Sequence, residues 1–254
     1  MSDLQYNRDA WDRIAARRDD YYLAANAEAI EKARSGIIEI KLTPTIRVPH
    51  QWWGQLMGRD VLALACGGGL QGPLLAAAGS QTTVFDLSQG QLQRDLEVAE
   101  QFGLELKTVQ GDMQDLSCFE NESFDLVVNP CSICFCEKPS AIWSEIYRVL
   151  RPGGVFLTGL INPVNYLFDF FAAEKKHLIV RQRIPFAPEQ LDPEERRRWL
   201  GDERPIEYGH SIDQLIGGQL QAGLMLTGFY EDRWGDDDLL SDHLPVFFAT
   251  RCSK

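Results

Sequence analysis

Two periods of hydrophobicity run through this chain. From residue 59 onward, short apolar runs rich in β-branched residues cover 61–65, 82–86, 106–110, 124–129 and 155–160, and each reads as a strand. The fourth is apolar almost throughout, as a strand buried on both faces should be. Helical spacing fills the gaps. Pro73 stands where a first helical turn tolerates proline, and Gly79 ends that helix. Ser88 with Gln91 forms a capping-box pattern, followed by the apolar face Leu92, Leu96 and Ala99 up to Gly103. A further helix over 138–150 carries Ile142, Ile146 and Val149 on one side, and Arg151-Pro152-Gly153-Gly154 reads as a sharp turn.

The flanks differ. Residues 3–35 are predicted helical, with Trp11, Ile14 and Ala15 at helical spacing and Gly36 as the stop. Residues 37–58 form a connector containing Trp52 and Trp53. Over 164–208 the rhythm breaks, giving an aromatic segment (Tyr166, Phe168, Phe170, Phe171) and then a highly charged one. Regularity returns as a helix near 212–222 and strands at 224–230 and 246–250. The expected fold is therefore α/β: a doubly wound, mostly parallel, seven-stranded sheet whose last strand is antiparallel. One domain is expected, with 1–58 as an N-terminal helical cover, 59–163 and 209–254 as the core, and 164–208 as a lid inserted after strand five.

Composition narrows the function. The net charge of −12, from 37 acidic against 25 basic residues, repels phosphate backbones, so no nucleic-acid partner is expected. Met1 to Asp20 is polar, without the apolar stretch of a secretory signal, and the charge-free run over 61–81 is interrupted by glycines, a proline and glutamines. No membrane association is expected, and the location is read as cytoplasmic. Cys131, Cys134 and Cys136 cluster, yet one such pair without a second pair or a nearby histidine does not complete four ligands; no metal is expected.

The chemistry concentrates in Ala65-Cys66-Gly67-Gly68-Gly69 and in Asp86, one strand–helix–strand unit further on. A glycine turn lets the backbone approach a nucleotide-like cofactor, and an acid ending the next strand can receive ribose hydroxyls. The turn formally matches the dinucleotide fingerprint, which keeps a nicotinamide-dependent oxidoreductase as an alternative. Against it stand Gly111-Asp112-Met113 at the end of strand three, the Arg-Pro-Gly-Gly turn before strand five, and the lack of a Tyr-x-x-x-Lys pair.

Taken in order, these motifs resemble the class I S-adenosylmethionine-dependent methyltransferases, from about Val61 to Gly159 and weakly through the last two strands. The resemblance implies a Rossmann-like methyltransferase fold with S-adenosylmethionine as cofactor. It implies that Ala65, Cys66, Gly67 and Gly69 hold the methionine part. Asp86 would take both ribose hydroxyls, with Leu87 beside the adenine. Asp112 would accept from the adenine amino group, with Met113 on the ring, and Asn129-Pro130 would lie near the methyl group. Two positions depart from the family pattern: Ala63 stands where an acid is usual and Ala65 where a glycine is usual. The first is expected to weaken anchoring of the cofactor's ammonium group, the second to narrow the turn.

Methyl transfer from a sulfonium needs alignment and exclusion of water more than it needs a catalytic triad. The expected activity is transfer to a small-molecule acceptor in a lid-covered pocket. His210 is the candidate general base. Tyr22, Trp53, Tyr166 and Tyr208 are the candidate pocket walls. A non-catalytic, S-adenosylmethionine-binding interaction protein is the other alternative.

Overall fold

The computed structural model describes residues 2–17, 24–201, 204–235 and 238–254. Its chain order is α1 (Asp3–Arg17), α2 (Ala27–Arg34), α3 (His50–Trp53), β1 (Asp60–Leu64), α4 (Gln71–Ala77), β2 (Gln81–Asp86), α5 (Gln89–Phe102), β3 (Leu106–Gln110) and β4 (Phe124–Asn129). Then come α6 (Pro139–Val149), β5 (Leu150–Ile161), α7 (Phe170–Ala173), α8 (Pro193–Leu200), α9 (Gly218–Gln221), β6 (Met225–Asp232) and β7 (Phe247–Ser253). The strands form a seven-stranded sheet ordered β3-β2-β1-β4-β5-β7-β6. The first five are parallel, whereas β7 runs antiparallel to both β5 and β6.

Alternation along β1 shows how the sheet is covered. Val61 and Ala63 pack into a core with Ile30, Leu42, Trp52, Val84 and Leu92. Leu62 and Leu64 point the other way, into a second core with Phe85, Trp143, Ile146 and Phe156. Burying one side chain on each face in turn is what makes the central strand read as uninterruptedly apolar. Helix α5 begins at the expected cap: the Ser88 hydroxyl accepts from the Gln91 N–H at 3.1 Å, and Gly103 closes the helix in the left-handed region with φ 62°.

Three expectations change. The predicted helix over 3–35 is two helices, α1 and α2; Asn26 caps the second by accepting from the Ala29 N–H at 2.9 Å. The Arg-Pro-Gly-Gly turn does not precede strand five but sits inside it. Phe124 pairs with Leu150 and Leu126 with Val155, so the turn is extruded as an irregularity between two paired stretches. The helix near 212–222 is a π-helical turn, Asp213–Gly217, continued by α9.

The inserted segment has its own small core of Tyr166, Phe186, Leu191 and Trp199. Phe170 stacks on Trp199 (5.4 Å, 17°) and meets Phe186 edge-on (5.5 Å, 81°). Its arginines are ion-paired on the surface: Arg181 with Asp169 and Glu195, Arg196 with Glu189, and Arg198 with Glu174. The chain switches direction across the sheet between β1 and β4, and open α/β sheets place their binding crevice at that point, beyond the strand carboxyl ends.

Candidate active site

A cavity of about 770 Å³ opens at the carboxyl ends of β1, β2 and β3, within the range that holds a cofactor-sized ligand. On one side it is lined by the glycine turn and by the residues that follow β2 and β3. On the other side lie α1, residues 41–44 and the insertion.

The glycine-turn side is built mostly by main chain. After β1, Ala65 turns into the left-handed region (φ 49°) and donates its N–H to the Phe85 carbonyl at 2.7 Å. That bond ties the turn to the end of β2, where Asp86 stands. The Gly67 N–H donates to Asp86 Oδ2 and the Ser88 N–H to Oδ1, each at 2.9 Å. A Cβ on Gly67 would lie 2.9 Å from the Asp86 carboxyl carbon and 2.7 Å from Gln91 Cβ, so any side chain here would fill the space between turn and acid. Burial pushes the Asp86 carboxyl up to about 6, against the pull of the surrounding amides.

Behind the turn is a second acid. Asp95 on α5 is fully buried and its Oδ2 accepts from the Gly68 N–H at 2.9 Å. Its Oδ1 and the Gln91 Oε1 are buried without a hydrogen-bond partner among the described residues. Burial raises Asp95 to about 7, again opposed by the amides of Gly68 and Gly69. The sequence held a signal for this residue: an acid on the inward stripe shared with Leu92, Val98 and Ala99.

Helix α1 closes the cavity from above. Asp12 Oδ1 accepts from the Ser88 hydroxyl at 2.5 Å and from the Gly90 N–H at 3.0 Å, fastening α1 to the start of α5. Trp11 packs edge-on against Phe135 (5.1 Å), and both line the cavity.

Of the residues singled out in the sequence, Ala65, Cys66, Gly67, Asp86, Leu87, Asp112, Met113 and Pro130 line the cavity together, as does Tyr166. Others stand elsewhere. Gly69 lies on the far side of the turn, where its carbonyl accepts from the Ala25 N–H at 2.7 Å. The Asn129 side chain is fully buried between strands. It donates to the Leu64 carbonyl and to Ser132 Oγ and accepts from Thr158 Oγ1, joining β1, β4 and β5. Trp53 is buried in the core beneath the sheet. Tyr208 points its hydroxyl to Asp3 at 2.5 Å and stacks on His210. His210 lies behind the cavity wall, its Nε2 at 3.3 Å from the Ile133 carbonyl, and burial holds its pKa below the usual value. A base must reach the acceptor, and His210 is walled off from the cavity. Tyr22 lies outside the described residues. Burial pushes up the thiols of Cys131, Cys134 and Cys136, the last to about 12, and all three are free. Among the described residues no group of three or more histidine, cysteine or acidic side chains is placed to hold a metal ion.

Comparison with known proteins decides the family. A methyltransferase-domain model matches residues 62–158. An uncharacterized methyltransferase of Bacillus subtilis, YbaJ, is 40% identical over 252 residues, covering 99% of this chain and 98% of that protein. The chain belongs to the class I S-adenosylmethionine-dependent methyltransferases. A ubiquinone biosynthesis O-methyltransferase of Psychrobacter arcticus is 32% identical to this methyltransferase over 64% of its chain and 63% of the relative. The crystal structure of an S-adenosylmethionine-dependent methyltransferase from Mesorhizobium loti shares its fold, with a TM-score of 0.61 at 16% identity over 80% of this chain and 94% of that one. The cofactor of this methyltransferase is S-adenosylmethionine, which sets aside the nicotinamide reading of the glycine turn. Its own residues fit that cofactor: the Cβ-free space between Gly67 and Asp86, and two acids lining the cavity, Asp86 at the end of β2 and Asp112 two residues past β3.

Proposed function

We propose that this methyltransferase transfers the methyl group to a small-molecule acceptor held beneath the insertion. When bound, the cofactor supplies an electrophilic methyl carbon whose leaving group is its own sulfur. Ala65, Cys66, Gly67 and Pro130 would hold its methionine end. Asp86 would receive the ribose hydroxyls: each carboxylate oxygen already takes one N–H and keeps a free lone pair for an O–H. Asp112 and Met113, with Leu87, would hold the adenine. Gln91, whose Oε1 is buried without a partner among the described residues, would stand in with the turn carbonyls for the acid missing at Ala63 as acceptors for the ammonium group.

The observation that carries the reading is the lining of the cavity away from the glycine turn, which is largely aromatic and apolar. Besides the residues of the glycine turn, the same cavity is lined by Tyr166, Phe170, Trp234, Phe247 and residues of α1. A concave, aromatic-lined cavity of this volume suits a molecule of metabolite size better than a segment of protein or nucleic acid.

The test is to incubate the protein with methyl-labelled S-adenosylmethionine and a cell extract, then separate the products by size. Label is expected in the small-molecule fraction. Label confined to protein or RNA would overturn the proposal.

A further inference from the structure

Among the described residues of the insertion, one acid, Glu207, lines the cavity. It comes from a different part of the chain than the other cavity acids: Asp86 ends β2 and Asp112 follows β3. The Tyr166 hydroxyl donates to Glu207 Oε2 at 2.8 Å; Oε1 has no partner among the described residues.

The pair is rigidly placed. Asn162 caps the short 3₁₀ turn Pro163–Tyr166, accepting from the Val164 N–H at 3.1 Å, and so presents Tyr166. The ring passes over Gly209, where a Cβ would sit 2.7 Å from its Cγ; only glycine admits it. The segment bearing Glu207 is held from three sides. Asn7 of α1 accepts from the Ile206 N–H (2.7 Å) and donates to the Ile206 carbonyl (3.1 Å). The Tyr208 N–H donates to the Cys134 carbonyl at 2.7 Å, and Phe186 and Gly209 form a two-way bridge. A carboxylate fixed on both flanks, with one oxygen satisfied and one open, is preorganised to receive a proton.

Other cavity groups are poorly suited to that task. The nearby thiols are held protonated by burial, and the cations on the wall, Arg17, Lys41 and Arg204, carry no lone pair for a proton at neutral pH. Burial raises Glu207 above the ordinary carboxylate range, while the Tyr166 hydroxyl and the Arg204 charge pull it down. The opposing effects leave it a stronger base than a surface glutamate. Cys134 and Cys131 are further titratable neighbours of Tyr166.

We propose, building on the methyltransferase reading above, that Glu207, positioned by Tyr166, accepts the proton of a hydroxyl-bearing aromatic acceptor. The acceptor's O–H bond breaks as its oxygen bonds the methyl carbon. The carbon–sulfur electron pair leaves with the sulfur, and the proton goes to Glu207 Oε1. The ring of the acceptor matches the aromatic walls given by Phe170, Trp234 and Phe247, with Trp234 edge-on to Phe247 at 4.8 Å.

The test uses 4-nitrophenol, whose phenol and phenolate forms differ in absorption, added to protein loaded with S-adenosylhomocysteine. A carboxylate sharing the phenol proton raises the bound probe's pKa above its free value. Glu207→Gln is expected to lower it by roughly one unit, a tenfold loss of proton affinity. Tyr166→Phe is expected to move it upward, because Glu207 then loses its donor and holds the proton harder; a general folding defect would move both variants alike. Unchanged titration in Glu207→Gln, failure of the loaded protein to bind 4-nitrophenol, or binding only of a benzylamine probe would overturn the assignment. Failure of the wild-type protein to bind S-adenosylhomocysteine would instead overturn the reading on which it rests.

Discussion

On the glycine-turn side of the cavity, the polar contacts come from backbone amides and from two acids that end neighbouring strands. On the insertion side, the wall is made of side chains contributed by segments remote in sequence: α1, residues 41–44, Tyr166, Phe170, Glu207, Trp234 and Phe247. The first arrangement is held by parallel-sheet register, so its groups cannot move without breaking strand pairing. The second is held by a small aromatic core and by side-chain hydrogen bonds to the backbone such as those of Asn7. A family can keep one cofactor on the rigid half while changing acceptors on the half whose packing is local. The two halves should therefore respond separately to mutation.

The largest separation is expected from Trp199→Ala. Removing this buried ring from the insertion core should cost about 3–5 kcal/mol locally. Because the loss falls outside the sheet, trypsin should cut within the insertion far faster than in wild type, while S-adenosylhomocysteine affinity by calorimetry stays within about threefold. Equal loss of both would show that the halves form one cooperative unit.

The reverse experiment is Asp86→Ala. Two hydrogen bonds to a charged group, worth about 1.5–3 kcal/mol each, imply at least a hundredfold loss of S-adenosylhomocysteine affinity. Proteolysis of the insertion should be unchanged. An affinity within tenfold of wild type would remove Asp86 from the site.

A smaller effect follows from burial of the acids. Hydroxyl donors favour the carboxylate form of Asp86, which titrates at about 6. Cofactor affinity should therefore be flat above that value and fall by about tenfold per pH unit below it. In Asp86→Asn the slope should vanish. Stability of the unliganded protein moves the other way. Asp86 and Asp95 hold protons more tightly in the folded state than at the ordinary value of 3.8, so the native state binds more protons than the unfolded chain. Stability should decline as pH rises from about 4 to about 7 and level off above. Asp95→Asn should flatten the upper part of that curve, measured as Tm against pH.

How much of this was legible in the sequence follows the same division. Strand ends and the residues just after them are fixed by local pattern, so spacing picks out the glycine turn and Asp86, and the family resemblance adds Asp112 and Met113; Gly67, Asp86, Asp112 and Met113 all line the cavity. Asn129 shared that spacing but not the location of its side chain: strand alternation turned it inward, where three hydrogen bonds consume it. In the insertion no period relates one residue to the next. His210, just past the insertion, is the residue chemistry favours, yet the acid of this stretch that lines the cavity is Glu207, and nothing local distinguishes which of several polar residues in an irregular segment faces inward. Asp95 was readable in principle, as a charge on an apolar stripe. The extruded turn within β5 was not, because Pro152 and the two glycines carry the same signal whether a strand begins after them or continues past them.

Ala65 gives the finest probe of the rigid half. It lies at φ 49°, where a Cβ crowds the following carbonyl, a cost of roughly 1–2 kcal/mol that glycine does not incur. Against this, glycine frees the unfolded chain by about 0.4–1 kcal/mol. Ala65→Gly should therefore stabilise by about 0.5–1 kcal/mol. For a chain of this size that is a rise in Tm of about 1–4 °C. The backbone bond to Phe85 persists in the variant, so S-adenosylhomocysteine affinity should hold or improve slightly as the turn relaxes. Ala65→Val, with branching at the same φ, should lower Tm by more than glycine raises it. If glycine instead lowers both Tm and affinity, the alanine is filling space that the turn needs filled. The departure from the family's usual glycine would then be part of how this cavity is shaped, rather than a strain it tolerates.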